Sequence, residues 1–176
     1  MVLNLDAGNS SSYSGTGTTW TDLSGSGNTG TFVGGVTYTS SEGGAIVFSG
    51  TTSNDYVSVA NSSSLNLTTA GTLSIWIKPS SLTQLGLTSL IGKTINGAQG
   101  GQSYYLYWTG GNITGIIQNA GTYKAISTPI PTALGWYNYI FSWGNGFLKL
   151  YKNGEQAATP VAVSYTHLTL PTNREV

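Results

Sequence analysis

The stretch 136–154, WYNYIFSWGNGFLKLYKNG, places two alternating apolar and polar segments around Asn145-Gly146 and ends on a second such dipeptide, Asn153-Gly154. Asn-Gly tolerates the positive φ angles of a type I′ turn, which joins neighbouring antiparallel strands. The chain is therefore predicted to contain consecutive β-hairpins.

Short alternating segments recur along the chain, and no segment shows the apolar spacing of an amphipathic helix. In TLSIWIK, Leu73, Ile75 and Ile77 share one face, which suits a half-buried strand. We expect an all-β fold in which two antiparallel sheets pack face to face. Predicted strands lie at 45–48, 55–59, 72–78, 89–92, 103–108, 113–118, 122–127, 136–143 and 147–152.

The first 44 residues differ, because they are mostly Gly, Ser, Thr and Asn. The segment 25–30 fits G-x-G-x-x-G, but β-type sequence follows it, so it is interpreted as a turn-rich loop and not as a phosphate site. An ordered loop is predicted, held by the apolar anchors Tyr13, Trp20, Leu23 and Phe32.

Charge and composition exclude several classes of protein. Six basic and six acidic residues give a net charge of zero, so no basic surface is available for nucleic acid. No cysteine is present for a disulfide or a thiolate metal site. No apolar run reaches the roughly 20 residues of a membrane helix, so membrane insertion is not expected. The start of the chain lacks the pattern of a signal peptide.

Three stretches resemble, in order, the LamG-like members of the concanavalin A-like lectin/glucanase superfamily. They are WTDLSGSGNTGT at 20–31, GGAIVFSG with NDYVSV within 43–59, and LSIWIKP followed by WYNYIFSWGNGFLKLYKNG within 73–154. The resemblance implies a two-sheet antiparallel jelly-roll sandwich.

The resemblance also implies a non-catalytic carbohydrate-binding or adhesion module of an extracellular, cell-surface or virion protein, such as a phage tail. Its expected partner is a glycan or cell-surface polysaccharide, with other virion or surface proteins as further partners. The alternative is a structural or protein-interaction module without sugar affinity.

A glucan hydrolase is the third alternative, and the positions of the carboxylates disfavour it. Glucanases of the superfamily carry an acid and a nucleophile or base on one strand. Before residue 163 no two acidic residues lie closer than 13 positions, so no single strand presents such a pair. The acidic residues are Asp6, Asp22, Glu42, Asp55 and Glu155.

Calcium is the cofactor that the sequence leaves open, because it requires only oxygen ligands. Asp22 with Asn28, or Asp55 with Asn54, are candidates to contribute ligands. The favoured interpretation is that Asp22 caps a turn and that Asp55 begins a strand. No other cofactor is predicted.

Aromatic residues supply the candidate binding site. In SYYLYW at 103–108, Leu106 is expected to bury its own face of the strand, which leaves Tyr105 and Tyr107 on the other face. Sugars stack their C–H faces on such rings while amides and amines bind their hydroxyls. The alternative is that these tyrosines are ordinary half-buried sheet residues. The predicted site residues are Tyr105, Tyr107, Gln118 and Lys124.

The segment 163–176, VSYTHLTLPTNREV, resembles translated sequencing-adapter read-through. The LamG-like domain is therefore predicted to span 1–162 and to lack its final strands, since relatives continue after Y-K-N-G with two further strand motifs that this chain does not contain. His167, the single histidine, is given no catalytic role.

Overall fold

A computed structural model describes residues 1–50, 54–83, 87–93, 103–119 and 122–163. The predicted all-β, antiparallel fold is confirmed, and His167 lies outside the described residues. The strands are β1 (Thr19–Trp20), β2 (Gly30–Val33), β3 (Thr37–Thr39), β4 (Ala45–Val47), β5 (Tyr56–Val59), β6 (Gly71–Ile77), β7 (Thr88–Lys93), β8 (Ser103–Thr109), β9 (Asn112–Asn119), β10 (Thr122–Pro129), β11 (Tyr137–Gly144), β12 (Phe147–Lys152), β13 (Glu155–Gln156) and β14 (Val161–Ala162).

The chain divides into two compact units, Met1–Asn66 and Leu67–Val176. In the first unit, β1, β2 and β5 form a three-stranded sheet, and β3 pairs with β4. The loop predicted for the first 44 residues thus contains three short strands. Two of its four predicted anchors, Tyr13 and Phe32, are buried with ring centroids 5.1 Å apart, and the other two, Trp20 and Leu23, are half-buried.

The second unit contains two antiparallel sheets. The four-stranded sheet has the order β10-β9-β8-β7, and the five-stranded sheet has the order β13-β12-β11-β6 with β14 also paired to β12. The core of the unit combines buried residues from both sheets. Tyr104 of the first stacks on Trp143 of the second at 5.0 Å between ring centroids, so the unit is a β-sandwich.

Local sequence explains why these strands form and where they turn. In β6, Leu73 is buried whereas Ser74 and Trp76 are exposed, as the alternation predicts. Asn145 and Gly146 have φ angles of 50° and 78°, which confirms the left-handed conformation expected at this hairpin. The dipeptides Asn153-Gly154 and Gly110-Gly111 also have positive φ angles at both residues.

The edge of β12 that is not paired with β11 is covered by the segment 155–163. β13 pairs with one end of β12 and β14 with the other, while the amide of Ala157 donates to Leu150 O at 2.8 Å. Val163 is buried in the core, and its amide donates to Gly146 O at 2.6 Å. The predicted boundary at 162 therefore falls one residue before the last core residue that the structure describes.

Candidate functional site

Strand β8 separates its side chains onto two faces, as its alternation predicts. Leu106 is fully buried in the core between the sheets, and Tyr104 and Trp108 accompany it. Tyr105 and Tyr107 project from the opposite, outer face of the four-stranded sheet. Tyr107 is buried yet does not belong to the core cluster, which agrees with this placement.

The register of the neighbouring strands shows what surrounds the two tyrosines. Tyr105 lies directly between Gly92 of β7 and Ile116 of β9. Tyr107 lies between Ser89 and Thr114. Directly opposed residues share a face, so all of these side chains belong to the outer face.

A third tyrosine, Tyr123 of β10, completes the group. It is paired with Gln118 of β9 and therefore lies on the outer face as well. The rings of Tyr105 and Tyr107 have centroids 5.7 Å apart, and a side-chain hydrogen bond links Tyr107 to Tyr123. We refer to Tyr105, Tyr107 and Tyr123 as the tyrosine cluster.

The tyrosine cluster covers the sheet beneath it while leaving one ring accessible. Directly opposed residues of neighbouring strands form a row across the sheet. Tyr107 and Tyr123 stand two rows apart, and their hydroxyls bond to each other over the row between them, which contains Ile116. Ile116 is only 2% exposed although it faces away from the core. Tyr123 is 54% exposed, so its ring forms the most accessible part of the cluster.

Two phenols of the cluster, those of Tyr105 and Tyr123, are uncharged at neutral pH. Burial raises the pKa of Tyr105, and the neighbouring phenol of Tyr107 raises it further. Partial burial likewise raises the pKa of Tyr123, with added contributions from the hydrogen bond to Tyr107 and from the nearby phenols. Both hydroxyl groups therefore remain protonated and able to donate hydrogen bonds.

The predicted site residues do not all meet. Gln118 is exposed on the outer face, where it is paired with Tyr123 and not with Tyr105 or Tyr107. Lys124 is paired with Ile117, which belongs to the core, so it lies on the opposite face of the sheet. The expectation that Lys124 lies beside the tyrosines is wrong, because its position follows the register between β9 and β10.

Sequence reasoning missed Tyr123 for the same reason. Tyr123 and Lys124 are adjacent, so only one of them can share a face with Gln118. The residues that decide between them are Asn119 and Thr122, which pair with each other across a two-residue connection. The short spacing between Asn119 and Thr122 was the signal in the sequence from which this register could have been predicted.

Asp22, a calcium candidate, instead organises the loop that precedes β2. One carboxylate oxygen accepts hydrogen bonds from the amides of Asn4 and Ser24, and the other accepts from the Ser24 hydroxyl and the Asn28 amide, at 2.8–2.9 Å. Burial raises the pKa of Asp22, but these four hydrogen bonds outweigh it and lower the pKa to about 2. The turn-capping interpretation of Asp22 is confirmed.

Asp55 has a similar role immediately before β5. Its carboxylate accepts hydrogen bonds from the amide of Gly35 at 2.7 Å and from the amide and hydroxyl of Ser49. Both oxygens of Asp22 already accept two hydrogen bonds each, so Asp22 does not fit a calcium ligand in this arrangement. Among the described residues, no group of three His, Cys, Asp or Glu is placed to hold a metal ion. Calcium binding elsewhere stays a prediction.

Two open cavities lie away from the tyrosine cluster. One, of ≈ 190 Å³, is bordered by Ser142, Phe147 and Lys149 on the outer face of the five-stranded sheet. The other, of ≈ 270 Å³, lies between β10 and the β12–β13 hairpin and is bordered by Thr128, Lys152 and Glu155 among other residues. Both are small by the standard of ligand pockets.

A family model of the concanavalin A-like lectin/glucanases superfamily, of the laminin G type, matches residues 49–174. The match covers more than half of the chain, so the chain belongs to this superfamily, and the resemblance drawn from its motifs is confirmed. Laminin G-like domains are in general lectin-like or adhesion modules, typically extracellular and generally non-catalytic.

Comparison with curated proteins and with solved structures gives no match. Among the described residues no helix has the length and apolar character needed to span a membrane.

Proposed function

We propose that this chain is a non-catalytic module that binds glycans at a cell or virion surface through the tyrosine cluster. The observation that supports the proposal is the concentration of three tyrosine rings on the outer face of the four-stranded sheet, with Tyr123 more than half exposed. The superfamily supports a lectin-like or adhesion role in general.

The chemistry of the cluster suits a sugar. Phenol rings offer apolar faces for the C–H groups of a pyranose, and their hydroxyls both donate and accept hydrogen bonds. Gln118 adds an amide next to Tyr123, and the hydroxyls of Thr114 and Ser127 lie 2.9 Å apart on the same face. A glycan lying across β8, β9 and β10 would meet the exposed Tyr123, Gln118 and Ser127, while the buried Thr114 holds the Ser127 hydroxyl in place.

A binding role without hydrolysis is consistent with the acidic residues. Asp22 and Asp55 are committed to hydrogen bonds that hold loops of the first unit. The strands that carry the tyrosine cluster contain no carboxylate residue, so the proposed site has no acid–base pair for glycoside cleavage.

The test is affinity electrophoresis and a glycan array with wild type, Tyr105→Ala and Tyr123→Ala. Losing one stacking ring is expected to weaken binding about tenfold. Trp76→Ala is the matched control, because Trp76 is 65% exposed on the outer face of the five-stranded sheet. Loss of binding in Trp76→Ala with retention in both tyrosine variants would move the site to that other sheet.

The second candidate function is a protein-interaction module of a phage tail or surface protein. It is favoured by the exposed apolar side chains on the five-stranded sheet, where Trp76 is 65% and Phe147 46% exposed. A chain that binds no glycan, but binds a surface or tail protein encoded beside it in a manner that Trp76→Ala abolishes, would support this alternative.

A further inference from the structure

The charged residues of the four-stranded sheet lie on one side of it. Strands β7 to β10 contain two of them, Lys93 and Lys124. The register places both in a single row, Lys93–Tyr104–Ile117–Lys124. Tyr104 and Ile117 belong to the core, so both lysines are on the core-facing side and at its two edges.

The polar side chains on the outer side of the same strands are all uncharged. The phenols of Tyr105 and Tyr123 stay protonated because their pKa values are raised. No Lys, Arg, His, Asp or Glu of the described strands projects from this side. The remaining polar side chains there include Ser89, Thr114, Gln118 and Ser127.

We propose that the tyrosine cluster binds an uncharged glycan and discriminates against glycans that carry uronate or sulfate groups. This inference rests on the proposed function. A carboxylate or sulfate that leaves water needs a cation or several converging N–H donors, and the outer side of the described sheet supplies no cation. Neutral sugar hydroxyls, in contrast, match phenol, hydroxyl and amide groups that donate and accept.

Salt dependence follows from the same arrangement. Binding without ion pairs is not screened, so affinity for a neutral polysaccharide should change less than twofold between about 0.05 and 0.5 M NaCl. The lysines on the core-facing side would give the opposite behaviour if they took part.

The experiment uses affinity electrophoresis and calorimetry on the full chain. The neutral probes are laminarin, mannan, xylan and galactan, and the acidic probes are alginate, polygalacturonate and heparin. The neutral polysaccharide that binds best is then compared with its own carboxylated derivative. The derivative is expected to bind at least about tenfold more weakly, which corresponds to about 1.4 kcal/mol.

Gln118 allows the charge of the face to be changed at an exposed position. Gln118→Lys should raise affinity for the carboxylated derivative at least about tenfold and make it sensitive to salt. The matched variant Gln118→Glu adds a charge of the other sign and should show no such gain.

Failure of this inference is distinguishable from failure of the proposed function. Acidic probes that bind wild type as tightly as neutral ones, with strong salt dependence and with loss in Lys124→Gln, would overturn the inference while glycan binding stands. If no probe binds, the proposed function is wrong and the inference falls with it. Neutral binding that persists in high salt supports both.

Discussion

Phe141 occupies the space that a side chain at position 115 would need. Gly115 faces the core from β9, and a Cβ atom built on it would approach Cδ2 of the Phe141 ring to 2.4 Å. Close packing between the two sheets of the second unit therefore depends on the absence of that atom. Gly115→Ala is expected to destabilise the chain by about 1–3 kcal/mol through overpacking.

Chemical denaturation measures that change, and Phe141→Leu supplies the control. Because Phe141 is fully buried, Phe141→Leu alone should destabilise the fold. In the double variant the smaller side chain relieves the clash. The loss of stability in the double variant should therefore be smaller than the sum of the losses in the two single variants. Additive costs would show that the two residues do not share this space.

Asp22 predicts a dependence of stability on acid. Its pKa is lowered from 3.8 to about 2, so the carboxylate contributes stability above pH 4 that is lost as pH falls from about 4 to about 2. The contribution is on the order of 1–2 kcal/mol, allowing for solvent near this loop.

The measurement compares urea unfolding of wild type and Asp22→Asn at several pH values. Asp22→Asn should be less stable at neutral pH and should lose less stability on acidification. Asp6→Asn is the matched control, because the Asp6 side chain accepts a hydrogen bond from the neighbouring Gly8 amide at an exposed position. Equal acid sensitivity in wild type and Asp22→Asn would contradict the assignment.

Tyr139 carries a buried hydroxyl without a hydrogen-bond partner among the described residues. The side chain is fully buried, and burial with the nearby phenol of Tyr137 raises its pKa to about 12. Tyr139→Phe should therefore leave stability unchanged or raise it by up to about 1 kcal/mol.

Tyr13→Phe gives the comparison for that substitution. The hydroxyl of Tyr13 donates to Gly17 O at 2.8 Å, and the side chain is also buried. Its removal should cost about 1 kcal/mol. A larger loss for Tyr139→Phe than for Tyr13→Phe, measured by thermal unfolding, would indicate a partner for the Tyr139 hydroxyl.

Tyr107 is expected to influence the titration of Tyr123. Burial is the largest cause of the raised pKa of Tyr123, and the hydrogen bond and phenol of Tyr107 contribute the next part. Tyr107→Phe should lower the pKa of Tyr123 toward its ordinary value without restoring it fully. Titration of tyrosine ring signals by NMR tests this, with Tyr56→Phe as a control at an exposed tyrosine of the first unit.

Period-2 alternation explains how far the site could be predicted. Leu106 identifies the core face of β8, and the outer position of Tyr105 and Tyr107 follows from it. The alternation alone does not place Lys124, because a slip of one residue between β9 and β10 exchanges the faces of Tyr123 and Lys124. Register is a relation between two strands, and neither strand's own pattern contains it.

Strands β1, β2 and β3 of the first unit were missed for a different reason. β1 has two residues and β2 has four, and both lie in sequence rich in Gly and Thr. Such segments acquire their structure from partners, as Thr31 of β2 does between Thr19 and Ser58. The turn at Asp22 was predictable from local residues, but its bond to Asn4, 18 positions away, was not.

Lys93 and Lys124 also bear on whether copies of this chain can join through the edges of this sheet. They lie on β7 and β10, the outermost strands of the four-stranded sheet as described. A neighbouring chain that added a strand to either edge would bring its own backbone against an inward-pointing ammonium group, which must then lose water. The placement thus disfavours edge-to-edge polymerisation into fibres and leaves the uncharged aromatic face available.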